Sequence, residues 1–207
     1  MKLVTTAEMR ELDRRTIERG TPGIELMERA GRGIARALLD RHRAACKRGV
    51  LIVAGRGNNG GDGFVVARLL AKQGIRCRVV LLGRRDELKG DARTNAQRWA
   101  KARGRVREME SLDDDSRNEL ARDLASAGLV LDGIFGTGLA RPVEGLAADV
   151  IALINAAAAG DHHALAYVEL RRARKGKRAA GEFGPPPTVV AIDVPSGLDA
   201  DTGLPLG

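Results

Sequence analysis

The sequence predicts an α/β fold: a three-layer α/β/α, Rossmann-like sandwich built on a mostly parallel sheet. Short, continuous apolar runs alternate along the chain with segments that have helical length and helical apolar spacing. The runs carry almost no polar residues, as expected of parallel strands covered on both faces. A glycine-rich stretch joins one of these strands directly to a helix, which is typical of doubly wound sheets.

The first half of the chain supplies two helices and a βαβ unit. A polar helix is predicted at 6–18, and a second helix follows Thr21-Pro22. Apolar residues in this second helix recur at a spacing that places one stripe on a core: Leu26, Ala30, Ile34 and Leu38. The apolar run 50–54, the helix 64–73 and the apolar run 79–82 then form the βαβ unit.

The second half continues the alternation. A helix at 91–103, a strand at 129–131, a helix at 144–158 and a strand at 189–192 are predicted from the same patterns. With 207 residues, the chain suits a single domain covering 1–207.

Composition narrows the class of protein. The net charge is +8, but 27 acidic residues are mixed among 35 basic ones, which does not favour a nucleic-acid partner. Two cysteines fit neither a disulfide framework nor a metal-ligand pattern. No apolar run approaches a membrane span or a signal peptide, so we expect a cytoplasmic protein with no membrane partner.

One segment, 161–187, interrupts the alternation. It contains the basic run RRARKGKR and ends in Gly-Pro-Pro-Pro, which can neither continue a helix nor join a central strand. We interpret it as an exposed basic insertion. A solvated loop and a basic patch for a polyanion or partner both remain open.

The glycine-rich stretch GRGNNGGDG covers residues 55–63 and follows the first strand. Its G-x-G-x-x-G spacing is compatible with a dinucleotide site, and Arg84 and Arg85 after the next strand leave an NADP enzyme open. However, Asn58, Asn59 and Asp62 place hydrogen-bonding side chains where a pyrophosphate needs bare backbone. The stretch therefore predicts a ligand that is polar as well as anionic.

Two other predicted strands run directly into aspartates, Asp132 and Asp193. The carboxyl ends of parallel strands meet at one edge of the sheet, where ligands bind at the switch point. We therefore expect both carboxylates to converge with the glycine-rich stretch in one crevice. Either residue alone also suits an N-cap or turn.

Three segments carry a family resemblance: GRGNNGGDGFVVAR, VLDGIFGTGLARPVEG and VVAIDVPSGLDADTG. They resemble the signature segments of the YjeF N-terminal domain family, whose enzymes are NAD(P)H-hydrate epimerases. The amino-terminal segment TTAEMRELDRRTIERGTPGIELMERAG is similar to that family's first helices. The resemblance covers nearly the whole chain except 161–187.

The resemblance implies an isomerase that interconverts the R and S epimers of NADHX or NADPHX, in which C6 of the nicotinamide ring is hydrated. It implies one potassium ion per chain, bound by Asn59, Asp132 and Ser196, whose oxygens suit a hard cation. The substrate-binding residues that it implies are Asn58, Asn59, Gly60, Gly61, Asp62, Gly136, Thr137, Gly138, Leu139, Ala140, Arg141, Pro142 and Asp193.

The hydrated carbon is a hemiaminal, so inversion requires a general acid and base. We expect Asp193 first and Asp132 second in that role, because a carboxyl in a closed crevice can have its pKa raised. Arg141 either pairs with a phosphate or is solvated. His42, His162 and His163 lie outside every motif and are not expected to be catalytic.

The expected partner is an ADP- or ATP-dependent NAD(P)H-hydrate dehydratase, which is fused to this domain in many bacterial relatives, and a homodimer is compatible with the family. Family members continue into further strands beyond the segment matching DADTGLPLG, so we expect a domain that is incomplete at its carboxyl end. The alternatives are a non-catalytic YjeF-type nucleotide- or RNA-binding module and an NADP-dependent oxidoreductase.

Overall fold

The computed structural model describes residues 4–161 and 185–206. Within them, five parallel strands form one sheet in the order β3-β2-β1-β4-β5. The strands are β1 (Val50–Ala54), β2 (Cys77–Leu82), β3 (Val106–Met109), β4 (Leu129–Gly133) and β5 (Thr188–Ala191). The helices are α1 (Thr6–Glu18), α2 (Gly23–Arg41), α3 (Arg43–Arg48), α4 (Asn58–Lys72), α5 (Gly90–Lys101), α6 (Asp114–Ser126) and α7 (Gly145–Ala158).

The sheet separates two apolar cores, which confirms the three-layer prediction. Alternate residues of β1 point to opposite faces, so Ile52 belongs to one core and Val53 to the other. Helices α2, α4 and α5 cover the first face, and α6 and α7 cover the second. None of the helices in the described part of the chain combines the length and apolarity that a membrane crossing requires.

The strand register brings three strand ends level with one another. Ala54 at the end of β1 pairs with Gly133 of β4, and Asp132 pairs with Ala191 of β5. The chain moves outward from β1 to β3 and then returns to place β4 on the other side of β1. The switch point therefore lies between β1 and β4, where ligands bind in sheets of this type.

Helix α4 begins at Asn58, so the prediction that it starts at 64 was wrong. Gly57 is the extended N-cap, and the N–H of Gly61 already donates to the carbonyl of Gly57 at 3.1 Å. Low glycine helix propensity suggested a loop. Tertiary packing overrides it, because Gly60 and Gly61 are buried in close contact with neighbouring segments.

The apolar stripe predicted for α2 was wrong in part. The buried residues are Met27, Gly31, Ala35 and Leu38, while Ala30 is exposed. Gly31 lies in the stripe because Val65 of α4 packs against it: a Cβ atom at Gly31 would lie 2.4 Å from Val65 Cγ1. The pattern of apolar residues favoured Ala30, but Gly31 is the residue that is buried where α2 crosses α4.

The sequence reading also missed α3, β3 and α6. Strand β3 is short and only Met109 in it is buried. Helix α6 is rich in acidic and polar residues, but it buries Leu120, Ala121 and Leu124 beneath the second face. Most of the predicted insertion, 162–184, lies outside the described residues.

Candidate active site

Two glycines of the motif 55–63 allow three backbone segments to meet at the end of β1. A Cβ atom at Gly55 would lie 2.1 Å from the carbonyl oxygen of Ile134, and one at Gly60 would lie 1.9 Å from that of Gly55. The N–H of Gly55 also donates to Gly133 at 2.9 Å. The start of α4 is therefore held directly against the segment that follows β4, and this contact forms the floor of the site.

Asp132 and Ser196 are joined at this floor. The carboxylate of Asp132 is buried and accepts hydrogen bonds from the Ser196 hydroxyl at 2.6 Å and the Ser196 N–H at 2.9 Å. A third hydrogen bond comes from the N–H of Ile134 at 3.1 Å. With these partners, Asp132 is firmly positioned, and its geometry suits holding the loop or a cation.

Asn59 joins the same cluster through Phe135. The side-chain amide of Asn59 donates to the Phe135 carbonyl at 2.7 Å, and the Ser196 hydroxyl lies 3.2 Å from that carbonyl oxygen. The Phe135 N–H in turn donates to the Ser196 hydroxyl at 2.9 Å. Asn59 and Ser196 therefore meet at the backbone of Phe135, and Asp132 is joined to them through Ser196.

This oxygen cluster fits a hard monovalent cation. It offers an amide oxygen from Asn59, the carboxylate of Asp132, the hydroxyl of Ser196 and the carbonyl of Phe135, without nitrogen or sulfur ligands. In the described part of the chain, no group of three or more His, Cys, Asp or Glu residues could hold a metal ion. The chemistry of the cluster therefore differs from that of a transition-metal site.

Asp193 follows β5 and contacts the loop that follows β4, beside this cluster. Its Oδ2 accepts a hydrogen bond from the N–H of Thr137 at 3.0 Å. A Cβ atom at Gly136 would lie 2.7 Å from that oxygen and 3.4 Å from Oδ1 of Asn59. The same face of Gly136 thus lies against both Asp193 and Asn59, which confirms that all three motifs converge at one edge of the sheet.

Asp62 differs from the other two carboxylates. Its Oδ1 is buried and has no hydrogen-bond partner among the described residues. Burial, and then the charges of Asp193 and Asp13, raise the pKa of Asp62 to about 7. The sequence reading assigned Asp62 to substrate binding only. Asp62 lies between Gly61 and Gly63 and precedes the apolar run of α4, and this position was the sequence signal that its carboxyl would be desolvated.

Helix α1 contributes a polar stripe that faces the site, which the sequence reading also missed. Thr6 donates to Asp201 at 2.8 and 2.6 Å, and Arg10 donates to the carbonyl of Thr137 at 3.3 Å. Asp13 acts on Asp62 through its charge. The spacing i, i+4, i+7 of Thr6, Arg10 and Asp13 was the available signal. No residue of α1 is buried.

The remaining predicted residues are divided between this edge and the surface. The segment 136–142 follows β4 and begins with a turn in which Leu139 N–H donates to the Gly136 carbonyl at 3.1 Å. Asn58 and Arg141 are exposed. His42 lies between α2 and α3, away from the site, and His162 and His163 lie outside the described residues.

Arg84 and Arg85, which left an NADP enzyme open, are paired in the structure. Arg84 pairs with Asp86 at 2.8 Å and Arg85 pairs with Glu108 at 2.5 Å. A 2′-phosphate would have to compete with these carboxylates. The pairs therefore give no support to the oxidoreductase alternative.

The chain is similar to proteins of one known family. A family model described as "YjeF-related protein N-terminus" matches residues 23–207. The NAD(P)H-hydrate epimerase of Rhodobacter capsulatus is 37% identical over 206 residues, which cover 97% of this chain and 79% of that protein.

A second relative is longer. The bifunctional NAD(P)H-hydrate repair enzyme Nnr of Moorella thermoacetica is 39% identical over 210 residues, covering 100% of this chain and 34% of that enzyme. The chain thus spans about a third of the length of this bifunctional relative.

A solved structure shares the fold. The crystal structure of the yeast protein ynu0 matches with a TM-score of 0.69 at 23% identity and covers 98% of this chain and 74% of the yeast chain. At this identity the likeness establishes the architecture of the sheet and its helices.

Proposed function

The chain belongs to the YjeF-related protein N-terminus family, and from this premise we propose that it is an NAD(P)H-hydrate epimerase. The reaction interconverts the R and S epimers of NADHX and NADPHX. One observation carries the proposal: the same face of Gly136 lies against both Asn59 and Asp193, so the three motifs meet at the switch point.

The residue roles follow the chemistry of the crevice. Asn58, Asn59 and Asp62 at the start of α4 bind the hydrated nicotinamide, while the segment 136–142 binds the phosphates through its backbone N–H groups. Asp193 lies at the nicotinamide end and exchanges protons with the substrate. The hydrogen bond from Thr137 to Asp193 supports this assignment because it orients the carboxylate at the junction of the two regions.

A potassium ion held by Asn59, Asp132 and Ser196 belongs to the same proposal, with the carbonyl of Phe135 as a further oxygen ligand. The hydrogen bonds around Phe135 support this set because they already bring the side chains of Asn59 and Ser196 to the Phe135 backbone. When bound, the ion would supply positive charge to an acidic crevice and attract the substrate's phosphates. Asp132 serves here to hold the ion and the loop.

The proposal extends to partners. Supply of the S epimer suits a dehydratase that restores the cofactor, and the bifunctional relative supports such a pairing. A homodimer and a cytoplasmic location stay predictions. The basic run 171–178, on which the RNA-binding alternative depends, lies outside the described residues.

A direct assay tests the activity. Purified R-NADHX or R-NADPHX is incubated with the chain in potassium buffer, and chromatography that resolves the epimers follows formation of the S form. We expect conversion faster than the spontaneous reaction and a large loss in Asp193→Ala. Asp40→Ala, an exposed residue of α2, is the matched control. Conversion at the spontaneous rate by the wild-type chain would refute the function.

A further inference from the structure

Among the described residues, one buried polar atom of the site is left without a hydrogen bond. Oδ1 of Asp62 is buried and lacks a hydrogen-bond partner among the described residues, whereas both oxygens of Asp132 have donors and Asp193 accepts from Thr137. A buried polar atom without a partner destabilises a fold. Such groups persist where a ligand or a reaction uses them.

We propose that Asp62 is a second catalytic carboxyl, which donates a proton to the C6 hydroxyl while Asp193 accepts one. This inference rests on the proposed epimerase function. Asp62 is carried by α4 and Asp193 follows β5, so the two carboxyls are supplied by different elements. They are close enough for the charge of Asp193 to act on Asp62.

The step balances without an oxidant or reductant. Asp62 gives its proton to the C6 hydroxyl. The C6–O bond then breaks, the bonding electron pair stays on the oxygen, and the hydroxyl leaves as water. The ring nitrogen stabilises the resulting cation as an iminium. A water molecule then forms a new C6–O bond on the opposite face and gives a proton to Asp193. The reverse reaction exchanges the two roles, and no hydride moves.

The surroundings of Asp62 keep it available as a proton donor near neutral pH. Burial disfavours the carboxylate, and the charged groups that act on it are acidic: Asp193 beyond β5 and Asp13 on α1. Two carboxyls in unequal environments are the arrangement that acid–base catalysis requires. Asp132 is less suited to the role because three donors already hold its oxygens.

Steady-state kinetics over pH 5 to 9 separate catalysis from binding. We expect Asp62→Asn to lower kcat by about 100-fold or more, the usual contribution of positioned proton transfer, with KM changed by less than about 3-fold. The wild-type rate should fall as pH rises through about 7, and this limb should disappear in Asp62→Asn. Asp13→Asn should move the limb to lower pH because it removes one of the acidic neighbours.

Controls distinguish the possible failures. Asp40→Asn should behave as wild type, and thermal unfolding of Asp62→Asn should show a folded protein. A wild-type chain without activity would refute the function itself. If the wild type is active and Asp62→Asn keeps the wild-type kcat, with or without a higher KM, the catalytic role of Asp62 is overturned. The epimerase function would then still stand.

Discussion

Ser196 holds both carboxylate oxygens of Asp132, through its hydroxyl at 2.6 Å and its N–H at 2.9 Å. The two residues are 64 positions apart in the chain: Asp132 lies in β4 and Ser196 follows β5. Their contact therefore fixes the loop after β5 against the end of β4. The loop that carries Asp193 depends on this pair for its position.

The Ser196→Ala variant should measure what that contact contributes. The substitution removes a hydrogen bond to a charged group, worth about 1.5–3 kcal/mol, and leaves the Phe135 N–H without its acceptor. We expect the free energy of unfolding, measured in urea, to fall by about 2–3 kcal/mol. Ser111→Ala is the control, since the hydroxyl of this exposed residue makes a long 3.5 Å contact with Asp113. Equal losses in both variants would contradict the structural role.

The cation can be tested by exchanging the salt. If Asn59, Asp132 and Ser196 bind potassium, replacing it with lithium should weaken hydrate binding, because the smaller ion fits oxygens spaced for the larger one poorly. Titration calorimetry with R-NADPHX in each chloride salt measures the difference. Ser196→Ala should reduce that difference. Equal wild-type affinity in the two salts would remove the ion from the site.

Gly60 should be far less tolerant of substitution than Gly57. A Cβ atom at Gly60 would lie 1.9 Å from a backbone oxygen, so Gly60→Ala must displace α4 from the floor of the site. We expect a loss of about 3 kcal/mol or more in unfolding free energy, at the upper end of overpacking costs. A Cβ atom at Gly57 would meet no neighbouring atom within 4 Å. Because Gly57 is the N-cap of α4, Gly57→Ala should lower the unfolding free energy by about 1 kcal/mol or less. Similar losses would contradict the close contact.

The strand-end aspartates were predictable because they follow continuous apolar runs, and parallel strands bring such ends together. Val50–Ala54 and Leu129–Gly133 needed no tertiary information to be recognised. The start of α4 was not predictable from propensity, because Gly60 packs against the backbone of Gly55 and Gly61 packs against Met27 and Ala92, which are distant in sequence. The environment of Asp62 was hidden for the same reason, since it depends on Asp193 and Asp13.

Asp62 should make the stability of the protein depend on pH. Its pKa rises from 3.8 to about 7 on folding, so between these values the folded state binds more protons than the unfolded state. Stability therefore falls as pH rises through this window. The unfolding free energy of Asp62→Asn should therefore increase relative to that of wild type from pH 4 to 7, by at most about 4 kcal/mol. Above pH 7 this difference should level off. Urea unfolding at several pH values measures this, and Asp40→Asn should give a flat difference.

Two ion pairs of α2 should differ strongly in their contribution. Glu28 pairs with Arg68 of α4, and their side chains are only 17% and 13% exposed. Burial acts to raise the pKa of Glu28, but the hydrogen bond and charge of Arg68, together with the charges of Arg32 and Arg98, lower that pKa overall. Glu25 pairs with Arg29 on the surface, where the side chains are 49% and 62% exposed.

Glu28→Gln leaves the Arg68 charge buried without a counter-charge at that position, so we expect a loss of about 3 kcal/mol in unfolding free energy. Glu25→Gln should cost less than about 1 kcal/mol because water screens the exposed pair. Both variants change one carboxylate to an amide on the same helix, so helix propensity nearly cancels. Since α4 carries the start of the site and packs against α2, the loss in Glu28→Gln should also appear as faster amide exchange in α4. Equal stability of the two variants would contradict a buried pair between these helices.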